Sequence, residues 1–140
     1  MNRQVAKSIL IRHLFVCLAA ISLAGCGTAT LNKSGSDDRI ESLRAFHLAF
    51  VDEFAVHTKR FNATAFDAKV NEGNAKFQQA LTDETFTARR PVLRDLAEQF
   101  RADAAHLRSK ASRGKITPAL GDEMKKDINT NYDHAIGKKA

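Results

Sequence analysis

The chain has 140 residues, with 22 Lys and Arg against 16 Asp and Glu, two Cys, two Pro and no Trp. This length predicts a single domain, and because Cys17 and Cys26 both precede residue 27, a disulfide framework or a cysteine-based metal site in the body that follows is excluded. The basic residues are interspersed with acidic ones along the chain and form no concentrated basic face, which argues against nucleic-acid binding.

Residues 1–25 have the organisation of a secretory signal peptide. Arg3, Lys7 and Arg12 lie in the first 13 residues, which contain no acidic side chain, and an apolar run follows over 14–23. This run is shorter than the about 20 apolar residues that a permanent membrane-spanning helix needs. We therefore expect this segment to direct export and then to be removed.

The stretch Leu23-Ala24-Gly25-Cys26 resembles the lipobox of bacterial lipoproteins, in which Leu, then Ala or Ser, then Gly or Ala precede a cysteine. The resemblance implies that the Cys26 thiol receives a diacylglyceryl group. It further implies that signal peptidase II recognises Leu23, Ala24 and Gly25, cleaves before Cys26, and leaves an amino terminus that is acylated, commonly with palmitate. Two or three acyl chains form a durable anchor, because one chain binds a membrane only marginally. The alternative is an ordinary secretory peptide with an incidental cysteine, since residues 27–29 also offer small side chains to the general peptidase.

The residues after Cys26 bear on location. In enterobacterial lipoproteins an Asp directly after the cysteine commonly retains the protein in the inner membrane, so Gly27 favours the outer membrane, with the protein facing the periplasm. Residues 26–36 are rich in small polar side chains without periodicity and are predicted to form a flexible tether. Ten such residues hold the following body roughly 18 Å from the lipid on average.

Residues 37–140 are predicted to be helical throughout, beginning with two helices. Ser36, Asp37 and Asp38 supply capping side chains for a first helix over about 38–60, whose apolar stripe is Ile40, Leu43, Phe46, Phe50, Phe54 and Phe61. A turn or cap at 62–64 precedes a second helix over about 64–81, with its stripe at Phe66, Val70, Gly73, Phe77 and Leu81. The place of Gly73 on that stripe predicts a close approach of another helix.

Two further helices follow a polar connection around Asp83-Glu84, an acid pair that we assign to a helix start. Because proline is tolerated in a first helical turn, Pro91 places the start of the third helix near 88–91, after a short turn. Its stripe is Leu93, Leu96, Phe100, Ala104, Leu107 and Ala111, and Arg113-Gly114 ends it. Thr117-Pro118 begins a fourth helix that Gly137 ends, with Leu120, Met124, Ile128, Tyr132 and Ala135 on its apolar side.

Four helices joined by short links bury their stripes only against one another. The sequence therefore predicts an all-α fold, an up-down antiparallel four-helix bundle over 37–140. The alternative is a three-helix bundle in which the first two segments form one long first helix. The phenylalanines of the stripes are assigned to the core, with a lipid or hydrophobic-ligand cavity as the minority interpretation.

Histidines are the weak candidates for a metal site: His47 and His57 at the apolar sector of the first helix, and His106 in the third. Ferritin-like bundle sites use two Glu-x-x-His motifs and further Glu residues, whereas this chain has Asp103-Ala-Ala-His106 once. We therefore predict no metal and no cofactor, with His47 and His57 as hydrogen-bonded boundary residues and His106 and His134 at the surface. Arg89-Arg90 fits a solvated helix entry better than a site for an anion or a partner's carboxylate.

The sequence carries no Gly-x-Ser-x-Gly elbow and no glycine-rich phosphate loop. We expect a non-catalytic, membrane-anchored envelope lipoprotein that acts as a protein-binding or accessory module, with an envelope protein as partner and without nucleic acid. The alternatives are a carrier of a metal or a small hydrophobic ligand in the bundle interior, and a small envelope enzyme.

Overall fold

The computed structural model describes residues 35–56 and 60–138. The predicted signal peptide, Cys26 and most of the tether lie outside these residues, as does His57. In the described part, α1 covers 35–51 and continues into a π-helical turn over Asp52–Val56. The remaining elements are α2 (Ala63–Asp83), a short 3-10 helix (Thr87–Arg89), α3 (Arg90–Ser112) and α4 (Pro118–Ile136), and no strand occurs among these residues.

The four helices of the described residues form an up-down antiparallel bundle, as predicted. Contacts between α1 and α4 pair early residues of one helix with late residues of the other, at Glu41–Lys138, Arg44–Asp133 and Asp52–Lys125. The same reversal relates α2 to α3, where Asp67 pairs with Arg108. The three-helix alternative is wrong, because residues 60–62 are not helical and α2 runs back along α1.

Side chains named from the sequence set several helix ends. The Asn62 side chain accepts a hydrogen bond from the Ala65 amide at 3.1 Å, and Thr117 caps α4 by accepting from the Leu120 amide at 3.2 Å. Pro118 takes the first position of α4. Gly137 ends α4 with φ 76°, a left-handed conformation that glycine adopts without a steric penalty.

The limits predicted for α1 are wrong at both ends. Gly35 and Ser36, which we expected in the tether, are helical, and Ser36 is buried. Arg60 and Phe61, which we expected in the helix, are not helical. Phe61 lies in the connection between α1 and α2, and its ring packs on Phe66 with the centroids 5.1 Å apart. It is therefore apolar because it contacts the core, and it does not belong to the apolar stripe of α1.

The assignment of Asp83-Glu84 to a helix start is also wrong. Asp83 ends α2, and Glu84 follows it with only 1% of its surface exposed. The Glu84 carboxylate accepts from the Ser36 hydroxyl at 2.7 Å, from an Arg39 guanidinium nitrogen at 3.1 Å and from the Phe86 amide at 2.8 Å. It therefore ties the α2–α3 connection to the start of the described part of α1.

The core is dominated by phenylalanine rings, as the sequence predicts. Phe100 of α3 lies between rings of α1 and α2, with centroid distances of 5.9 Å to Phe46, 5.2 Å to Phe50 and 5.5 Å to Phe77. The close approach at Gly73 is confirmed, because a Cβ there would lie 2.3 Å from the Phe100 ring. Phe46 departs from the prediction, since its ring is half-buried and the ammonium groups of Lys69 and Lys76 lie over it.

Candidate functional site

The structure separates the candidate histidines. His47, which we expected at the boundary of the apolar face of α1, is fully buried. Its ring packs against Phe100 of α3 and Tyr132 of α4. His106 and His134 are exposed, as predicted. Among residues 35–56 and 60–138, no three His, Cys, Asp or Glu side chains are grouped so that they could hold a metal ion.

The buried polar cluster consists of His47, Asp103 and Tyr132, contributed by α1, α3 and α4. His47 Nε2 lies 3.1 Å from Asp103 Oδ2, and the His47 and Tyr132 rings are 6.1 Å apart. The Asp103-Ala-Ala-His106 motif is thus divided, because Asp103 faces His47 while His106 faces outward. Asp103 and His106 therefore do not point into one common site.

Several polar atoms of this cluster are buried without a hydrogen bond to any described residue. They are both ring nitrogens of His47, Asp103 Oδ2 and the Tyr132 hydroxyl. The 3.1 Å contact between His47 Nε2 and Asp103 Oδ2 is close enough for an ion pair but is not aligned as a hydrogen bond, so His47 Nδ1 and the Tyr132 hydroxyl are the atoms without a close polar contact. Burial raises the pKa of Tyr132, the nearby Arg44 guanidinium opposes this, and the Asp103 carboxylate adds to it. Burial therefore favours the neutral form of the Tyr132 phenol.

A first surface groove, the α3–α4 groove, encloses about 480 Å³ between these two helices. Its apolar lining is Val92, Leu96 and Ala135, and its polar lining is Asp95, Gln99, Asn131 and His134. Protein–protein contacts also combine apolar with polar side chains. The groove brings His134 together with side chains of α3 that the sequence analysis did not connect with it.

A second surface groove, the arginine groove, encloses about 410 Å³ on the opposite side of α3. It is lined by Gln78 and Leu81 of α2 and by Arg90, Arg94, Ala97, Glu98 and Arg101 of α3. The sequence analysis missed it, although the signal was present. Arg90, Arg94, Arg101 and Arg108 recur at spacings of four and seven beside the apolar stripe of α3, which places them on one face of that helix.

The four arginines of that face differ in their partners. Arg90 donates to the Glu84 carbonyl at 3.2 Å, and Arg108 pairs with Asp67 at 2.7 Å. Arg94 and Arg101 are exposed and have no ion pair or hydrogen-bond partner among the described residues.

Arg89, in contrast, does not form the solvated helix entry that we expected. Its guanidinium lies 2.6 Å from the Asp37 carboxylate and also donates to the Ala135 carbonyl. These contacts join α1 and α4 to the short 3-10 helix that precedes α3, so Arg89 is a structural residue.

Comparison of the chain with protein family models, with curated proteins and with solved structures gives no match. Of the helices within 35–56 and 60–138, none combines the length and the hydropathy that crossing a membrane requires.

Proposed function

We propose that the chain is a lipoprotein of the bacterial cell envelope that acts as a non-catalytic protein-binding or accessory module. The observation that carries this proposal is the order Leu23-Ala24-Gly25-Cys26 behind a basic start and a short apolar run. Gly27 favours the outer membrane, with the bundle facing the periplasm.

An anchored module needs only a modest interface. With residues 35 and 36 in the helix, a tether of about eight residues would keep the bundle roughly 16 Å from the lipid, which raises its effective concentration toward other envelope proteins. Both grooves that flank α3 combine polar and apolar side chains at the surface, as binding surfaces for proteins do.

The two cysteines provide a matched test of the anchor. Full-length chain with Cys26→Ser, expressed in a bacterium with two membranes, should lose fatty-acid incorporation and move from the detergent phase to the aqueous phase. Cys17→Ser should leave both properties unchanged, because Cys17 lies in the segment that is removed. A mature protein that starts at a residue other than 26, or that carries an unmodified Cys26 by mass spectrometry, would overturn the proposal.

The binding role requires its own test. Crosslinking in intact membranes, followed by mass spectrometry, should link residues of the bundle surface to one recurring envelope protein. Crosslinks scattered over many abundant proteins, without a recurring partner, would contradict the binding role while leaving the anchor unaffected.

The second candidate function is ligand carriage inside the bundle, and the buried polar cluster favours it. His47 Nδ1 and the Tyr132 hydroxyl, which are buried without a hydrogen bond to any described residue, could bind a small guest. Native mass spectrometry of the full chain should then show a stoichiometric bound species that His47→Leu removes. A wild-type mass equal to that of the lipidated chain alone would exclude such a ligand.

A further inference from the structure

We infer that the arginine groove binds an acidic segment of the partner protein through arginine–carboxylate pairs at Arg94 and Arg101. This inference rests on the protein-binding role proposed above and identifies the chemistry of its partner. The groove offers two exposed guanidinium groups, seven residues apart on α3, that have no partner among the described residues. At 1.5 Å per residue, they lie about 10 Å apart along the helix.

The basic residues of the arginine groove are arginines, and this favours a ligand whose carboxylates are held in a defined geometry. All four basic residues on this face of α3 are arginines, whereas lysines lie elsewhere on the bundle, such as Lys69, Lys76 and Lys125. A guanidinium presents a planar fork that pairs with a carboxylate through two parallel hydrogen bonds, which an ammonium group does not do. Arginine is also enriched in protein–protein interfaces, where lysine is depleted.

The rest of the lining favours a protein segment over a bilayer or a phosphate polymer. Glu98 lies between Arg94 and Arg101 and would repel a flat, uniformly anionic bilayer, whereas a flexible chain can place its carboxylates on the two arginines and keep clear of Glu98. Leu81 gives apolar contact, and Gln78 gives an uncharged polar side chain opposite the arginines. A groove between two antiparallel helices is also a surface on which an extended or helical segment can bind.

Poly-L-glutamate of about 50 residues is a suitable probe, because its flexible chain presents carboxylates at many spacings. Its binding to the full-length protein in detergent, measured by fluorescence anisotropy at moderate salt, should weaken about tenfold in Arg94→Gln/Arg101→Gln. Lys115→Gln/Lys126→Gln removes the same charge from exposed positions outside the groove and should change the affinity less than twofold.

A charge-conserving variant separates paired geometry from general attraction. Arg94→Lys/Arg101→Lys keeps the net charge and should still lose about threefold or more in affinity, because the lysines cannot form the bidentate pairs. Unchanged affinity in this variant, or an equal loss in the Lys115/Lys126 variant, would overturn the inference. Thermal unfolding of each variant checks that the exposed substitutions leave the bundle folded.

Competing ligands are tested on the Cys26→Ser chain, so that the anchor does not contribute. Tighter binding to polyphosphate than to poly-L-glutamate, or arginine-dependent binding to vesicles containing 30% phosphatidylglycerol, would also overturn the inference. These results leave the proposed lipidation untouched, because that proposal depends on Cys26 and is tested by phase partition. A lack of poly-L-glutamate binding to the wild-type chain would refute the groove alone.

Discussion

Two regions of the bundle bury polar side chains against α1, and they do so in opposite ways. At one end, the Glu84 carboxylate accepts three hydrogen bonds, from Ser36, Arg39 and Phe86. In the middle, His47 Nδ1 and the Tyr132 hydroxyl lack a hydrogen bond within the described residues, and His47 Nε2 has only a misaligned contact with Asp103 at 3.1 Å. A buried polar group stabilises a fold only when its partners are in place. We therefore expect the Glu84 region to depend on its polar atoms and the middle region to depend on its rings.

The largest effect should come from the ring that dominates the middle region. Phe100 is fully buried and contacts His47 as well as three phenylalanines. Phe100→Ala should lower the free energy of unfolding by about 3–5 kcal/mol, because it removes the ring and leaves a cavity among Phe50, Phe77 and Gly73. Urea unfolding followed by circular dichroism gives the value.

The exposed Phe86 is the matched control for this loss. It is 43% exposed, and its amide contact to Glu84 does not involve the ring. Phe86→Ala should stay within about 0.5 kcal/mol of the wild type. Similar losses at Phe86 and Phe100 would show that ring burial does not set the stability of the middle region.

The next effect should come from the satisfied carboxylate. Glu84→Ala should cost about 3 kcal/mol, because the Ser36 hydroxyl and the Phe86 amide lose their acceptor and Arg39 loses its counter-charge. Since Arg39 is partly exposed, water compensates for part of its loss.

Glu123 provides the comparison on α4, since it is exposed and has no ion pair or hydrogen-bond partner among the described residues. Glu123→Ala should leave the urea midpoint unchanged. Hydrogen exchange should also accelerate locally at residues 84–90 in Glu84→Ala, because the α2–α3 connection loses its attachment to α1. A Glu84→Ala protein as stable as Glu123→Ala would mean that the three contacts contribute nothing net.

A smaller loss is expected where α2 approaches Phe100. Gly73→Ala adds a Cβ that would lie 2.3 Å from the Phe100 ring and 2.8 Å from the Phe46 ring, so these packed rings, or the helices that carry them, must shift. Such overpacking costs about 1–3 kcal/mol, and the better helix propensity of alanine returns about 1 kcal/mol of it. Gly35→Ala, at a helical glycine with open space around it, should not lower the unfolding midpoint.

These regions also show how far the sequence predicts the molecule. The sequence was sufficient to predict three features: the helical periodicity, the caps at Asn62 and Thr117, and the close approach at Gly73. Each of them depends on neighbours within a few residues or on a single apolar stripe. The partners of Glu84 were not, since Ser36 lies 48 positions away and no local pattern connects the two. Full burial of His47 was missed for the same reason, because it depends on rings of α3 and α4.

Of the candidate site, only the spacing of the arginines was available from the sequence. That spacing shows that Arg94 and Arg101 share a face of α3. It does not show that α2 presents Gln78 and Leu81 opposite them to complete a groove, because that depends on how the two helices pack.

The smallest change in the free energy of unfolding should come from Tyr132, and it should be a gain in stability where the other substitutions cause a loss. Its hydroxyl is buried without a hydrogen bond to any described residue, so Tyr132→Phe removes an unsatisfied group and leaves the ring in place. Below about pH 9 the variant should be as stable as the wild type or more stable by up to about 1 kcal/mol. A clear loss of stability there would show that the hydroxyl is paired after all.

Alkaline titration sharpens this comparison, because Tyr132 is the one tyrosine of the chain and there is no tryptophan. Burial raises the pKa of Tyr132 in the folded state above the value of about 10 for an unfolded chain. The stability that depends on keeping the Tyr132 phenol neutral is therefore fully present below about pH 10, and it is lost as the pH rises toward the folded-state pKa. The wild type should lose stability above pH 10, with tyrosinate absorbance appearing together with unfolding, whereas Tyr132→Phe should lose less over the same range. Tyrosinate that forms near pH 10 while the bundle remains folded would mean that water reaches the phenol, and the middle region would then resemble the Glu84 region in having its polar atoms satisfied.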